Sequence, residues 1–278
     1  MNTPLISIVI PTKNSGINIR NCLESIKKQD YRNYEVIIVD GFSTDDTRKA
    51  AESFGAKCLA SSEKVSGARN LGFSNAKGSV FVSIDSDMIL SPNVLGEIAH
   101  SIGKYDALII PEVGIGSDFI SRCKDLEKRC YLNDEVAESL RAFRRESFDA
   151  VGGYDPNLFF GEDADFNSRI KARFSVGRIS ARIMHDARHA SLAKGLKKAY
   201  VYGHTLRSYL AKKSVQSSKW MAPGNIFFIK HFRKLAEEPV EGLGISIIKF
   251  AEYSAGLLGF LSSYIFPGKA GMKKDGGK

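Results

Sequence analysis

An unbroken apolar run, Ser79-Val80-Phe81-Val82-Ser83-Ile84, ends on two aspartates one residue apart, Asp85 and Asp87. Six residues rich in Val, Ile and Phe read as a buried strand, because a pleated site packed on both faces suits such a run. Two carboxylates at its carboxyl end are no core feature, since an unpaired buried charge is strongly destabilising. Open α/β sheets bind ligands outside the carboxyl ends of their strands, so the pair points into a crevice. Oxygen ligands there suit a divalent cation that keeps waters and bridges phosphates, as Mg²⁺ does. A turn carrying two solvated aspartates is the plainer alternative, and the rest of the chain decides between them.

Leu5–Ile10 is a first buried strand, expected to stop at Pro11. Apolar residues at Ile19, Cys22, Leu23 and Ile26 predict a helix over 18–28. Tyr34–Val39 is a second strand ending at Asp40, and Ser43-Thr44-Asp45-Asp46-Thr47 opens a helix toward Phe54. Ala56–Ala60 is a short strand, and 66–76 a helix closed by Lys77-Gly78. Strand alternating with helix at this spacing predicts a parallel, Rossmann-like α/β sheet. Further on, 106–111 reads as a strand, 117–138 as one long helix, and 191–213 as a basic amphipathic helix.

At 278 residues the chain can bury a sizeable core. Its net charge of +9 concentrates between Arg178 and Lys234 and again at Lys269, Lys273, Lys274 and Lys278. Such a basic flank implies an anionic partner. Nucleic acid ranks last, because no helix-turn-helix, zinc-finger or RNP-like pattern accompanies it. Cys22, Cys58, Cys123 and Cys130 make no metal-ligand spacing and suit a reducing compartment. Met1–Leu5 lacks a basic n-region, so a cytoplasmic catalytic part is expected.

Four pieces stand in order: Pro11-Thr12-Lys13-Asn14, Asp40-Gly41-Phe42-Ser43, Gly67-Ala68-Arg69-Asn70 before Asp85-Ser86-Asp87, and Gly161-Glu162-Asp163 after Gly152-Gly153-Tyr154-Asp155. This order resembles family 2 glycosyltransferases of the GT-A fold over roughly residues 5 to 205. The resemblance implies a nucleotide-diphosphate sugar as donor and Mg²⁺ or Mn²⁺ as cofactor. Pro11, Thr12, Asn14 and Asp40 would line the nucleotide pocket. Arg69 and Ser86 would lie near the nucleotide or diphosphate, and Asp85 near the ribose or metal. Asp87 would ligate the metal, with His185 as a further ligand. Asp163, beside Glu162, would be the general base of an inverting displacement. Gln216-Ser217-Ser218-Lys219-Trp220 imitates the signature of processive polysaccharide synthases. Lysine stands for arginine there and the position is too late, so the enzyme is expected to be non-processive.

The general base favours a hydroxyl acceptor, such as a glycan or lipid-linked glycan, because a lipid phosphate is already ionised near neutral pH. The expected organisation is a catalytic domain over 1–190, divided into a nucleotide-sugar half (1–115) and an acceptor half (116–190), followed by a helical extension over 191–278. Within that extension 242–266 is largely apolar and interrupted by Lys249 and Glu252. This suits an interfacial helix on an anionic membrane at its cytoplasmic face better than a full span. The alternatives are a helix that only caps the fold, a haloacid-dehalogenase-like phosphatase, and a nucleotide-sugar-binding protein without catalysis. The phosphatase fits poorly, because those enzymes carry Asp-x-Asp on their first strand.

Overall fold

The computed structural model describes residues 3–134, 137–188, 191–211 and 227–266. The apolar runs form β1 (Ile6–Thr12), β2 (Tyr34–Asp40), β3 (Lys57–Ala60) and β4 (Val80–Ser83), separated by α1 (Gly16–Lys27), α2 (Thr47–Ser53) and α3 (Val65–Ser74). The four strands pair in parallel in the order β3-β2-β1-β4. Each crossover runs through a helix, as parallel neighbours require. β1 continues through Pro11 instead of stopping there. Its pairing with β4 ends at Val9 opposite Ser83, so beyond Val9 that side of the strand has no ladder for a proline to break.

After β4 come β5 (Met88–Leu90), α4 (Val94–Ser101), β6 (Ala107–Ile109), β7 (Glu112–Ile115), α5 (Phe119–Tyr131) and β8 (Leu140–Arg144). Then follow α6 (Arg145–Ala150), α7 (Glu162–Lys171), β9 (Val176–Arg178) and β10 (Ile183–Asp186). β8 inserts antiparallel between β4 and β6, and β9 extends the sheet parallel to β6. The result is a mostly parallel seven-stranded sheet, β3-β2-β1-β4-β8-β6-β9. A second sheet, β5-β10-β7, has no counterpart in the sequence reading. It pairs Met88 with His185, and the Asp186 N–H donates to the Asp87 carbonyl at 2.8 Å. That pairing draws the end of the Asp-x-Asp segment toward the histidine.

Two apolar layers flank the main sheet. β1 sends Ile6, Ile8 and Ile10 into one and Val9 into the other, the period of two that a strand imposes. The second layer is aromatic: Phe73 stacks on Phe81 at 4.6 Å, and Tyr154 on Phe166 at 4.4 Å. α5 is shorter than expected. Asp118 caps its start by accepting from the Ser121 N–H, and after Tyr131 Leu132 turns extended and Asn133 left-handed, at φ 65°.

The C-terminal part contains α8 (Leu192–Ala211), α9 (Phe227–Lys230), α10 (Phe232–Glu237) and α11 (Pro239–Ile265). Among the described helices α11 alone is long and apolar enough to cross a membrane. Its first half packs on α5, where Lys249 donates to Glu127 at 2.7 Å and Glu252 accepts from Lys124 at 2.7 Å. Lys249 and Glu252 also pair with each other at 3.3 Å, as their spacing predicts. The second half lies backbone-close to α8. A Cβ on Gly203 would stand 1.8 Å from the Gly256 carbonyl oxygen, and one on Gly259 2.0 Å from that of Tyr200, so only glycine fits at these contacts. All three charges of α11 (Glu241, Lys249 and Glu252) are held in ion pairs with α5. The opposite face, Leu243, Ile247, Phe250, Leu257, Leu258 and Leu261, is 52–70% exposed.

Candidate active site

Arg69 is the centre of the cleft. It stands in α3, only 2% exposed, and its planar fork reaches two elements far apart in sequence. Nη2 donates to Asp85 Oδ1 at 2.8 Å, just past β4, and Nη1 donates to Asp163 Oδ1 at 2.6 Å, in the first turn of α7. Glu162 lies 3.6 Å from the same Nη1. Arginine suits this place because its fork stays charged when buried and matches two carboxylates at once. Its neighbour Asn70 grips the turn before α7, accepting from the Tyr154 N–H at 2.9 Å and donating to the Tyr154 carbonyl at 2.7 Å. Ser66, a turn earlier, donates to the Leu158 carbonyl at 3.1 Å. One face of α3 thus positions the whole segment from Tyr154 to Asp163. Gly161, left-handed at φ 74°, makes the corner from which Glu162 and Asp163 start the helix.

Electrostatics divides the acids. Burial alone would raise the Asp85 carboxyl, but Arg69 and then Arg141, whose Nη1 is 3.5 Å from Asp85 Oδ2, outweigh it and hold it well below the usual carboxylate range. Glu162 behaves oppositely. Its burial and the neighbouring charge of Asp163 push it up to about 7, against the pull of Arg69.

On the other side of Asp85, Asp87 is the exposed acid, with 46% of its side chain in solvent. His185 Nδ1 is 4.0 Å from Asp87 Oδ1, while Nε2 hydrogen-bonds Glu112 Oε2 at 2.6 Å. Glu112 also accepts from Lys128 (3.0 Å) and Arg141 (2.7 Å). Burial opposes its ionisation, but Arg141 and Lys128 prevail and hold it well below the ordinary range. No group of three or more His, Cys, Asp or Glu side chains forms a closed metal cage among the described residues. An Asp carboxylate with an imidazole nitrogen facing it does fit a cation that completes its coordination with water and phosphate oxygens.

The nucleotide-pocket candidates meet where β1 and β2 end side by side. Asp40, 5% exposed, accepts from the Ser43 N–H at 3.0 Å and from the Thr12 hydroxyl at 3.3 Å. Asn14 accepts from the Thr44 N–H at 2.9 Å, and its own N–H donates to Ser43 Oγ at 2.8 Å. Pro11 is partly exposed beside them. Ser86 donates to Ser15 Oγ at 3.0 Å, which links the Asp-x-Asp segment to this loop.

Sequence reasoning missed Glu112, Arg141, Asn70 and two residues of α8. The Tyr202 ring lies 5.2 Å from Phe160 and 5.9 Å from Phe159, just before the Glu162-Asp163 corner. Lys198, one turn earlier, stands over that ring at 5.3 Å. Its ammonium is raised chiefly by Tyr202, with smaller contributions from the charges of Asp85 and Asp87. Gln216, Lys219 and Trp220 lie outside the described residues.

The family model described as glycosyl transferase family 2 matches residues 7–152. The chain belongs to this family. It is similar to the glycosyltransferase GlyG of Streptococcus pneumoniae, 34% identical over 113 residues that cover 38% of each chain. It is also similar to the PGL/p-HBAD biosynthesis glycosyltransferase of Mycobacterium tuberculosis, 28% identical over 201 residues, 66% of this chain and 75% of that one. The family 2 chain thus spans well under half of GlyG and three quarters of the mycobacterial relative. Among solved structures it resembles the mannosyltransferase PcManGT from Pyrobaculum calidifontis in complex with GDP-Man and Mn²⁺. That match has a TM-score of 0.64 and 16% identity and covers 97% of this chain and 89% of the other. The GT-A fold, a mostly parallel α/β sheet with a helical C-terminal part, is therefore established for this chain.

Proposed function

We propose that the protein transfers a sugar from a nucleotide-diphosphate donor to an acceptor hydroxyl by metal-assisted inverting displacement. The observation that carries this reading is the Arg69 fork. It ties Asp85, at the strand end where a donor would lie, to Asp163, at the head of the acceptor-side helix. In this reading Pro11, Thr12, Asn14 and Asp40 form the nucleotide end of the site, with Asp40 presenting a carboxylate toward a base N–H. Asp87 and His185 hold Mg²⁺ or Mn²⁺, which would counter negative charge on the departing diphosphate as a Lewis acid. Lys198 adds a fixed positive charge on the same side.

Asp163 takes the acceptor proton. Arg69 occupies its Oδ1 and leaves Oδ2 to the hydroxyl. A base in hydrogen-bond reach contributes about 10²–10⁴-fold to rate.

The acceptor we propose is a glycan or lipid-linked glycan at the cytoplasmic face of an anionic membrane, with residues 191–278 as the extension that meets it. In support, α11 turns its charges inward and its apolar stripe outward, opposite to a solvated surface helix. From Ala187 to Ala236 the sequence carries no Asp or Glu, which matches an anionic surface.

Thermal-shift measurement against nucleotide sugars with and without Mn²⁺ tests the donor reading. A matching donor at 100 times its Kd adds about 2.7 kcal/mol of stability. The expected result is a shift with one donor that grows with Mn²⁺. No shift with any nucleotide sugar would overturn it.

A further inference from the structure

We propose that Glu112 is a positioning residue for the cation site. By accepting the Nε2 proton of His185 it fixes one ring tautomer and turns the unprotonated Nδ1 toward Asp87. This rests on the reading of Asp87 and His185 as the metal pair and adds a third residue to it.

The geometry is built, and it comes from the second sheet. β7 and β10 are parallel neighbours, with Ile183 opposite Glu112 and His185 opposite Gly114, so the carboxylate and the imidazole belong to adjacent strands. The Nε2···Oε2 separation of 2.6 Å is that of a strong, charge-assisted hydrogen bond. The partner carboxylate cannot swing away, because Arg141 holds Oε1 at 2.7 Å and Lys128 holds Oε2 at 3.0 Å. On the other side of β10, the antiparallel β5 places Met88 opposite His185 in register. An imidazole whose Nε2–H is given to a fixed carboxylate has its lone pair on Nδ1, and Nδ1 is the atom 4.0 Å from Asp87 Oδ1. Two donor atoms that close, with no proton between them, leave a place for a cation. Which ring nitrogen takes a metal is set by the hydrogen bond of the other. Partners of this kind are worth about 10–100-fold in metal affinity.

Arg141 also links the two halves of the cleft. Its guanidinium touches Glu112 through Nε and Asp85 through Nη1, so the network that orients His185 is continuous with the Arg69 pairs around Asp163.

The test is nitrogen-detected NMR of ¹⁵N-histidine-labelled protein, with Mn²⁺ binding followed by electron paramagnetic resonance, on the full chain and on Glu112→Gln. Expected for the unaltered protein is a neutral His185 protonated on Nε2, and Mn²⁺ binding that weakens about 10–100-fold in Glu112→Gln. The variant should also show a mixed tautomer. Lys128→Met controls for folding: it removes a contact to Glu112 but leaves Nε2···Oε2, so it should keep the tautomer. A His185 protonated on Nδ1, or an imidazolium at neutral pH, would overturn the proposal, as would Glu112→Gln with unchanged tautomer and Mn²⁺ affinity. If the unaltered protein fails to bind Mn²⁺ even with a nucleoside diphosphate, the metal reading itself falls. The tautomer result then reports separately on Glu112.

Discussion

The cleft and helix α11 treat charge in opposite ways. In the cleft, Asp87 and Lys198 remain open to solvent, and the acids outnumber what Arg69 and Arg141 neutralise. In α11 every charged side chain is paired with α5, and what faces outward is leucine, isoleucine and phenylalanine. The same rule explains both, since a buried charge needs a partner and an exposed apolar face needs a cover. In the proposed function the cleft takes a cation and a polar ligand, and α11 meets an apolar surface.

The largest expected effect that separates the regions is catalytic. Asp163→Asn should keep donor binding while lowering turnover about 10²–10⁴-fold, because the amide retains the shape and loses the base. Single-turnover kinetics beside equilibrium titration read the two quantities. Near-normal turnover in a folded variant would mean that another group takes the proton.

Next in size is the inner face of α11. Lys249→Met should destabilise the protein by roughly 3 kcal/mol, the lower end for breaking a buried pair, because Lys124 remains beside Glu127. Urea unfolding measures it. A loss below about 0.5 kcal/mol, the range of ordinary surface changes, would say the network is not holding the helix.

The outer face should respond in the reverse sense. Leu257→Glu and Leu243→Glu change stability within about 0.5 kcal/mol but reduce sedimentation with anionic liposomes. High salt should weaken binding of the unaltered protein only in part, since it screens the lysines and leaves the apolar stripe. Equal liposome binding by the charged variants would make α11 a structural cap and remove the contrast.

Much of this was legible in the chain. β1 and β4 are largely apolar runs buried on both faces, β2 is buried over Ile37–Asp40, and Asp40 ends β2 while Asp85 stands two residues past β4 as sequence order predicts. The second sheet was not legible, because strands of three or four residues, one containing Gly114 and another ending in Asp186, carry no readable period. Glu112 was invisible for the same reason: only folding brings β7 beside β10. The spacing of Ile120, Cys123, Leu126 and Cys130 makes α5 legible, but its end is not, because the extended Leu132 and left-handed Asn133 that follow Tyr131 carry no breaker in the sequence. The pairing of Lys249 with Glu252 was legible as an i,i+3 spacing, but their partners Glu127 and Lys124 on α5 were not.

In the proposed function the Asp-x-Asp end of β4 holds a cation that serves the donor diphosphate. Its most direct test is calorimetric titration of a nucleoside diphosphate into the unaltered protein and into Asp87→Ala, each with and without Mn²⁺. Asp87 is half-exposed and makes no buried pair, so its removal should leave the fold intact. Mn²⁺ should tighten binding to the unaltered protein and have no effect on Asp87→Ala, whose affinity should equal the metal-free value. An unchanged Mn²⁺ dependence in a folded Asp87→Ala would contradict it.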